Sequence, residues 1–254
     1  MQSLSVAIIT FNEERIIEKT LLAVKDWVNE IVVVDSFSTD STLNILKKHN
    51  VKIFQETWRG YSKQKNLALS KCSGDWILVI DADEIVPAIL RDEILDVLQK
   101  QLKYNGYRIK RKFYIGDRWI KFGGYYPDSQ LRLIKNNVNA FYENRAVHES
   151  ISVKGSICTL KYPLEHYAYR DLNDYKKSLK KYAQLASREI KKKKKYVPGL
   201  RATWAFILRY IFRLGLLEGR LGYFLNKAYG EYVYEKYKLA SESNIGKESI
   251  SLVN

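Results

Sequence analysis

Short runs of apolar residues alternate with helically spaced ones through the first hundred residues of the chain. Four runs predict strands: Leu4–Thr10, Ile31–Val34, Val51–Phe54 and Trp76–Ile80. They are rich in β-branched residues, as is typical of strands buried on both faces of a parallel sheet. Between the runs, apolar residues three or four positions apart predict helices, most clearly over residues 16–24. The pattern therefore predicts an α/β fold, a mainly parallel sheet flanked by helices and joined by right-handed crossovers.

Polar residues follow three of these predicted strands at the point where each strand ends. The clusters are Thr10–Glu13, Asp35–Asp40 and Asp81–Glu84. Ligands bind at the carboxyl ends of the strands in such sheets, so the clusters predict one binding site at that edge. For Asp40 or Ser41, capping of the next helix is the simpler interpretation. The sequence has neither a Gly-x-Gly-x-x-Gly after the first strand nor a P-loop motif, which disfavours both of those nucleotide sites.

The third cluster, Asp81-Ala82-Asp83-Glu84, follows the most apolar strand. Side chains alternate along a strand, so Asp81 and Asp83 are expected on the same side. Two neighbouring carboxylates repel each other unless a cation lies between them, and a hard divalent ion with oxygen ligands fits best. The alternative interpretation is a polar strand end followed by the first turn of a helix.

The last third of the chain is amphipathic and basic. Apolar stripes of helical period cover 172–186, 204–212 and 221–233, and the run Lys191–Lys195 lies between the first two. Residues 1–100 hold 12 Lys and Arg against 15 Asp and Glu, whereas residues 170–240 hold 18 against 6. Most of the net charge of +15 therefore belongs to the C-terminal region. Basic amphipathic helices that are too polar to span a bilayer predict an interfacial anchor on an anionic membrane surface. The alternative is that the stripes only pack on the rest of the protein.

The sequence is less compatible with nucleic acid as the partner of the basic region, and its cysteines indicate the compartment. A nucleic-acid-binding protein would leave the acidic strand ends unexplained, so no nucleic acid partner is expected. The two cysteines, Cys72 and Cys158, lie far apart and suit a reducing compartment. We therefore expect a cytoplasmic protein that is peripheral on the inner face of the cell membrane.

Four motifs in order carry a family resemblance. They are Val-Ala-Ile-Ile-Thr-Phe-Asn-Glu-Glu (6–14), Ile-Val-Val-Val-Asp-Ser-Phe-Ser-Thr-Asp-Ser-Thr (31–42), Gln-Lys-Asn-Leu-Ala-Leu (64–69) and Gly-Asp-Trp-Ile-Leu-Val-Ile-Asp-Ala-Asp-Glu (74–84). This set resembles the family-two inverting glycosyltransferases, which have the GT-A fold and an Asp-x-Asp motif. Arg111–Gly116, Pro127–Leu133 and Val147–Glu149 are similar to the bacterial branch that glucosylates the lipopolysaccharide inner core.

The resemblance implies transfer of a hexose, with glucose the first expectation, from a UDP-sugar to a glycolipid acceptor, assisted by Mg²⁺ or Mn²⁺. The metal ligands would be Asp81 and Asp83. His166 is a further candidate for binding the metal or a phosphate, with a structural histidine as the alternative interpretation. The implied nucleotide-sugar-binding residues are Thr10, Asn12, Glu13, Asp35, Gln64, Lys65, Asp81 and Ala82. For Gln64 and Lys65 the alternative is a solvated helix face. A related alternative function is transfer to a polyprenyl phosphate, which needs no base.

An inverting transfer needs a general base for the acceptor hydroxyl. The matching position holds Glu149, and Asp128 is the second candidate. The expected acceptor-binding residues are Arg111, Tyr114, Trp119, Arg132 and His148. Most of the basic and aromatic residues concerned lie in 106–126, whose alternative interpretation is an amphipathic edge-strand pair with its turn at Gly123-Gly124. The expected division is a GT-A catalytic domain over 1–168, with nucleotide-sugar (1–100) and acceptor (101–168) halves, and a helical region over 169–254.

Overall fold

The computed structural model describes residues 2–100, 103–136, 140–143, 151–190 and 196–251, without the side chains of 189 and 243–251. Its strands are β1 (Leu4–Thr10), β2 (Glu30–Asp35), β3 (Lys52–Gln55), β4 (Trp76–Val79), β5 (Glu84–Ile85), β6 (Gly106–Ile115), β7 (Arg118–Ile120), β8 (Asp128–Lys135), β9 (Phe141–Tyr142), β10 (Ile151–Ser152), β11 (Ile157–Thr159) and β12 (Leu164–Tyr169). Its α-helices are α1 (Ile17–Leu22), α2 (Thr42–Lys48), α3 (Tyr61–Ser70), α4 (Ala88–Gln99), α5 (Leu172–Glu189), α6 (Pro198–Ile207) and α7 (Gly219–Ser251). None of the described helices is long and apolar enough to cross a membrane.

The main sheet has the order β3-β2-β1-β4-β8-β6-β12-β5. Its first four strands are parallel, with β1 between β2 and β4. Beyond β4 the pairing changes, because β8 runs antiparallel to both β4 and β6, while β11 pairs with β6 in parallel. The predicted α/β class is therefore confirmed, and the sheet is mixed because β8 runs in the opposite direction to its neighbours β4 and β6.

Both faces of the parallel strands are covered by helices. On one face Val6 and Ile8 pack with Leu21 of α1 and Leu90 of α4, all of them buried. On the other face Ala7 of β1 belongs to a second buried cluster with residues of α3. Successive residues of β1 are therefore buried on opposite faces of the sheet, which explains why its sequence is almost continuously apolar.

The chain divides into two compact units. Unit 1 comprises Met1–Phe113 and Pro127–Ala168, and unit 2 comprises Tyr114–Tyr126 and Tyr169–Asn254. The sequence-based division placed 114–126 in the acceptor half, whereas the structure groups this segment with the C-terminal helices. Within unit 2, α7 packs against both α5 and α6.

The strand pair expected over 106–126 has a different turn from the one that the sequence indicated. The hairpin reverses at Gly116, which has a φ of 55°, and β7 then pairs with β6. Gly123 and Gly124 lie beyond β7, also with positive φ. β6 is an interior strand, because it lies between β8 and β12. The edge-strand interpretation was therefore wrong.

Candidate active site

The acidic turn after β4 lies at the carboxyl end of the parallel strands, and β1 is the neighbouring parallel strand. β4 ends at Val79, so Asp81 and Asp83 lie in a turn and strand alternation does not orient them. The Glu84 N–H donates to the Asp81 carbonyl over 3.0 Å, and the Asp81 N–H donates to the Glu84 carboxylate over 2.9 Å. The expectation that the two aspartates lie side by side in a strand was therefore wrong, and each has its own set of partners.

Asp81 is held by cations from three elements. Lys65 of α3 contacts its Oδ1 at 2.8 Å, and Arg132 of β8 contacts its Oδ2 at 2.6 Å. Arg111 of β6 lies 3.6 Å from the same Oδ2. Burial on its own would raise the pKa of Asp81, but Arg132, Lys65 and Arg111 together hold that pKa well below its usual range. Asp81 is therefore a carboxylate whose charge is already offset by the protein.

The same two arginines also hold the acids around Asp81. Glu84 is fully buried, and its Oε1 lies 2.5 Å from Arg132 and 3.0 Å from Arg111. Arg111 makes two further hydrogen bonds to Asp128, one of them at 2.9 Å. Arg132 is only 3% exposed, so it supports the acidic turn from inside. Its side chain pairs with both acids, which need a cation where they are buried, and its role in binding an acceptor stays a prediction.

Asp83 faces a different partner, His166. The Asp83 Oδ2 lies 3.3 Å from His166 Nε2, and the two side chains are 20% and 17% exposed. The register of β12 against β5, in which His166 is opposite Glu84, brings this histidine to the turn. Burial would lower the pKa of His166, but Asp83 raises it above its usual value; conversely, burial would raise the pKa of Asp83, and His166 lowers it.

This pair fits a divalent metal site that a substrate would complete. Imidazole and carboxylate are both common metal ligands, and Mg²⁺ in particular is bound by one or two carboxylates together with phosphate oxygens. Within the described ranges, no three or more His, Cys, Asp or Glu side chains form a metal-binding group of their own. Asp83 and His166 would therefore hold a metal only together with ligand oxygens or water.

Asp35, at the end of β2, is turned inward. It is fully buried, and it accepts hydrogen bonds from the Ser38 N–H at 2.9 Å and the Ser38 hydroxyl at 2.5 Å. Gln55 lies 3.4 Å from the same carboxylate. The carboxylate is therefore already engaged by Ser38 and Gln55, and the predicted role of Asp35 in binding the nucleotide sugar stays a prediction.

The loop after β1 lies against the loop after β2. The Asn12 side chain accepts from the Thr39 N–H at 2.8 Å, and the Glu13 N–H donates to the Thr42 hydroxyl at 2.8 Å. Thr10 is buried, and its hydroxyl has no hydrogen-bond partner among the described residues. Asp40 accepts from the Thr42 N–H at 3.0 Å, so its carboxylate satisfies an N–H at the start of α2, although Ser41 itself makes no side-chain cap.

Gln64, Lys65 and Ala82 are buried rather than solvated. Gln64 donates to the Ser36 hydroxyl at 2.9 Å, and Lys65 also lies 5.4 Å from the centre of the Tyr142 ring. The Ala82 carbonyl accepts from the Thr20 hydroxyl at 2.7 Å, which ties the acidic turn to α1. The solvated-face interpretation of Gln64 and Lys65 was therefore wrong, because α3 turns these two residues inward.

The described residues that were expected to bind the acceptor are divided between the two units, and their role stays a prediction. Arg111 and Arg132 belong to unit 1, whereas Tyr114 and Trp119 belong to unit 2. His148 and Glu149 lie outside the described residues. Asp128 accepts from Gln130 at 2.7 Å as well as from Arg111; burial would raise its pKa, but Arg111 lowers it.

Three members of this charged network were not recognised from the sequence as such, namely Glu84, Arg111 and Arg132. Arg132 lies within the apolar run Leu131–Ile134 of β8, all of which is buried. A charged residue inside a buried strand needs a partner of opposite charge, so this position was a usable signal. The identity of that partner depends on which strand lies beside β8, and local pattern does not give it.

Comparison with known proteins agrees with this architecture. The sequence model of Glycosyl transferase family 2 matches residues 5–160. The lipopolysaccharide core biosynthesis glycosyltransferase LpsC of Rhizobium meliloti is 28% identical over 95% of this chain and 96% of its own. An uncharacterized glycosyltransferase of Rickettsia typhi is 42% identical, over 43% of this chain and 38% of its own length. For that relative, the match therefore spans well under half of the protein.

The fold is also seen in a solved structure. S. aureus TarS 1-349, in complex with UDP-GlcNAc, superposes with a TM-score of 0.52 over 96% of this chain and 92% of its own, at 16% sequence identity. This agreement supports the mixed sheet with flanking helices. Because the family match covers more than half of the chain and agrees with the motifs and the fold, the protein belongs to glycosyl transferase family 2 and is a glycosyltransferase.

Proposed function

We propose that this glycosyltransferase moves a hexose, with glucose the first candidate, from a UDP-sugar to a glycolipid such as the lipopolysaccharide inner core, with inversion at the anomeric carbon. The observation that carries the donor half of the proposal is the charged turn at the strand ends. Asp81 is already paired with Lys65 and Arg132, whereas Asp83 and His166 face each other at a partly exposed position. The likeness to LpsC over most of both chains supports the acceptor class.

In this proposal different residues of unit 1 bind the metal, the diphosphate and the uridine of the donor. Asp83 and His166 hold Mg²⁺ or Mn²⁺, which when bound supplies Lewis-acid stabilisation of the charge on the leaving diphosphate. Lys65 places a further positive charge at the same turn. Thr10, Asn12, Glu13 and Asp35 lie at the neighbouring strand ends, where the uridine would bind.

The acceptor half of the proposal needs a base. Glu149 deprotonates the acceptor hydroxyl, and Asp128 is the weaker candidate because Arg111 lowers its pKa. Enzyme and acceptor meet at the inner face of the cell membrane, to which the basic C-terminal region binds the protein peripherally. This location follows from the positive charge of residues 170–240 and from the lipid nature of the proposed acceptor.

A donor screen tests the proposal. UDP release is measured from several UDP-sugars with Mg²⁺ or Mn²⁺, together with the shift in melting temperature caused by UDP and the metal. We expect one donor to be hydrolysed or transferred in a metal-dependent way, and Asp83→Asn and His166→Gln to abolish both signals. Asp92→Asn is the matched control, because Asp92 is an exposed acid on α4. No metal-dependent signal with any nucleotide sugar would refute the proposal.

A further inference from the structure

The connection between α6 and α7, residues 208–218, buries two of its three charged side chains and exposes most of its apolar ones. We call this segment the hairpin tip. Arg209 and Glu218 are only 8% and 6% exposed, whereas Phe212 and Leu217 are 66% and 55% exposed. This distribution is the reverse of that in an ordinary surface turn, where apolar residues are buried and charges face water. The exposed apolar side chains therefore need an explanation.

Buried polar contacts hold the hairpin tip in one folded conformation. The Arg209 guanidinium lies between two aromatic rings, 4.4 Å from the centre of Tyr125 and 4.1 Å from that of Tyr229. The Glu218 carboxylate accepts from the Lys121 N–H at 2.7 Å and the Phe122 N–H at 3.0 Å. Both charges are thus satisfied inside unit 2, so the outward direction of the apolar side chains is part of the fold of this unit.

The exposed apolar side chains are concentrated in this short stretch of the chain and continue onto α6. Those that are more than two-fifths exposed include Trp204, Ile211, Phe212, Leu214, Leu216 and Leu217. Single exposed apolar residues are normal on a protein surface, but several consecutive ones indicate an interaction site.

The charge around the tip identifies the kind of partner. Between residues 196 and 230 the sequence contains one acid, Glu218, which is buried. The exposed charged residues of the same stretch are Arg201, Arg213, Arg220 and Lys227. A second copy of the chain would bring like charges together at this face. A surface that combines an apolar interior with anionic groups at its boundary matches both properties, and an anionic lipid bilayer is such a surface.

We propose that the hairpin tip inserts its apolar side chains into the boundary region of an anionic bilayer, with the exposed Arg213 and Arg220 at the level of the lipid phosphates. The inference deepens the proposed function and rests on it in one respect, because it names the surface through which the enzyme reaches a membrane-borne acceptor. It assigns the membrane contact to a folded turn with exposed apolar residues, whereas the sequence indicated whole amphipathic helices and a lysine run.

Vesicle sedimentation of the full chain tests the inference. The probes are vesicles of phosphatidylcholine alone and vesicles that also contain phosphatidylglycerol. We expect Phe212→Ser/Leu217→Ser to lower the partition coefficient onto anionic vesicles by at least tenfold. The matched control is Leu22→Ser/Ile89→Ser, which removes two exposed apolar side chains of unit 1 that are 49% and 51% exposed, and it should bind like the wild type. Equal binding by the tip variant would overturn the inference.

A variant that removes two positive charges distinguishes the insertion of apolar side chains from electrostatic attraction to anionic lipid. Arg213→Gln/Arg220→Gln should weaken binding to anionic vesicles by about fivefold per charge, and this loss should shrink as salt is added. Unchanged unfolding midpoints would show that both variants are folded. If the tip variant instead changed a dimer to a monomer and left vesicle binding unaffected, the occupant would be a second copy and the inference would fail.

Hydrolysis of the donor by water, measured as UDP release without an acceptor, tests the proposed function separately from membrane binding. A tip variant that loses vesicle binding while retaining metal-dependent UDP release supports the inference. Tip-dependent vesicle binding by a protein that releases UDP from no donor supports it as well, and would refute the proposed function alone.

Discussion

At the residue scale, the candidate site is a chain of ion pairs in which two arginines hold three acids. Arg132 bridges Asp81 and Glu84, and Arg111 joins Glu84 to Asp128. The sequence predicted that Asp81 and Glu84 would lie at a strand end, because polar residues follow three apolar runs, and the family resemblance implied that Lys65 binds the nucleotide sugar. It did not predict the arginine partners, since Arg132 is 51 positions from Asp81 and reaches it only through the pairing of β8 with β4.

Removal of Arg132 should destabilise the protein strongly. Arg132→Met leaves Glu84 with fewer cations in a fully buried position, and breaking a buried ion pair costs about 3–5 kcal/mol. Adding Glu84→Gln should recover part of that loss, because the buried charge is then removed as well. Urea unfolding of the two variants measures the difference. A loss below about 1 kcal/mol for the single variant would mean that Arg111 alone satisfies Glu84.

The two candidate bases should differ in their effect on turnover. Glu149→Gln is expected to lower kcat by roughly 10²–10⁴-fold with KM for the donor little changed, because general-base catalysis contributes about that much. Asp128→Asn should have the smaller effect on kcat, since Arg111 and Gln130 already occupy that carboxylate. Steady-state kinetics of UDP release with an acceptor present give both values. Full activity of Glu149→Ala would favour a phosphate acceptor that needs no base.

At the element scale, the parallel strands and their helices were predictable and the later strands were not. The apolar runs of β1 to β4 are local signals of strands that are buried on both faces. The helical spacing over 16–24 is a local signal of a helix that is buried on one face. The place of β6 inside the sheet depends on pairing with β8 and β12, which no local pattern reports. The turn of the β6–β7 hairpin was misplaced for a similar reason, because Gly116, Gly123 and Gly124 all have positive φ and only the pairing distinguishes them.

Glu30, at the start of β2, should make stability depend on pH. Its carboxylate accepts from Lys52 at 2.6 Å and from the Ser73 hydroxyl at 3.0 Å, and it also bonds Ser5. Burial would raise the pKa of Glu30, but these bonds lower it from 4.5 to about 2. The stabilisation is therefore fully present above pH 4.5 and is lost as the pH falls from 4.5 towards 2.

Glu30→Gln tests this pH dependence. The variant should be less stable than the wild type at neutral pH by about 1–3 kcal/mol, the usual size of hydrogen bonds to a charged group. The difference in unfolding free energy between the two proteins should narrow below pH 4.5. Denaturant unfolding at several pH values measures it, with Glu165→Gln as a control at a half-buried acid of β12. A difference that stays constant with pH would contradict the assignment.

At the scale of the whole molecule, charge and apolar exposure are distributed unequally along the chain. The acids of the candidate site lie in unit 1, whereas the basic surplus and the exposed hairpin tip belong to unit 2. The sequence reported this asymmetry correctly, because net charge is additive along the chain and needs no fold. It could not report which apolar residues of the last third are exposed, since exposure depends on the buried contacts of Arg209 and Glu218.

The position of β4 in the sheet has a consequence for synthesis on the ribosome. β1 lies on one side of β4, but the neighbour on the other side is β8, which is translated some fifty residues later. Trp76 is 2% exposed and lies beside Tyr107, with ring centres 5.8 Å apart, so its burial also waits for β6. A nascent chain that has released only residues 1–100 therefore presents an open, apolar strand edge.

A fragment of residues 1–100 should accordingly fail to fold as a unit, although it contains all the motifs of the predicted nucleotide-sugar half. We expect hydrogen exchange of the amides of 76–79 to be fast in the fragment and slow in the full chain, and the fragment to aggregate at concentrations where the full chain is monodisperse. Protection of those amides in the isolated fragment would contradict this expectation. The first hundred residues, which carry the clearest family motifs, thus depend for their folding on β6 and β8, where those motifs are absent.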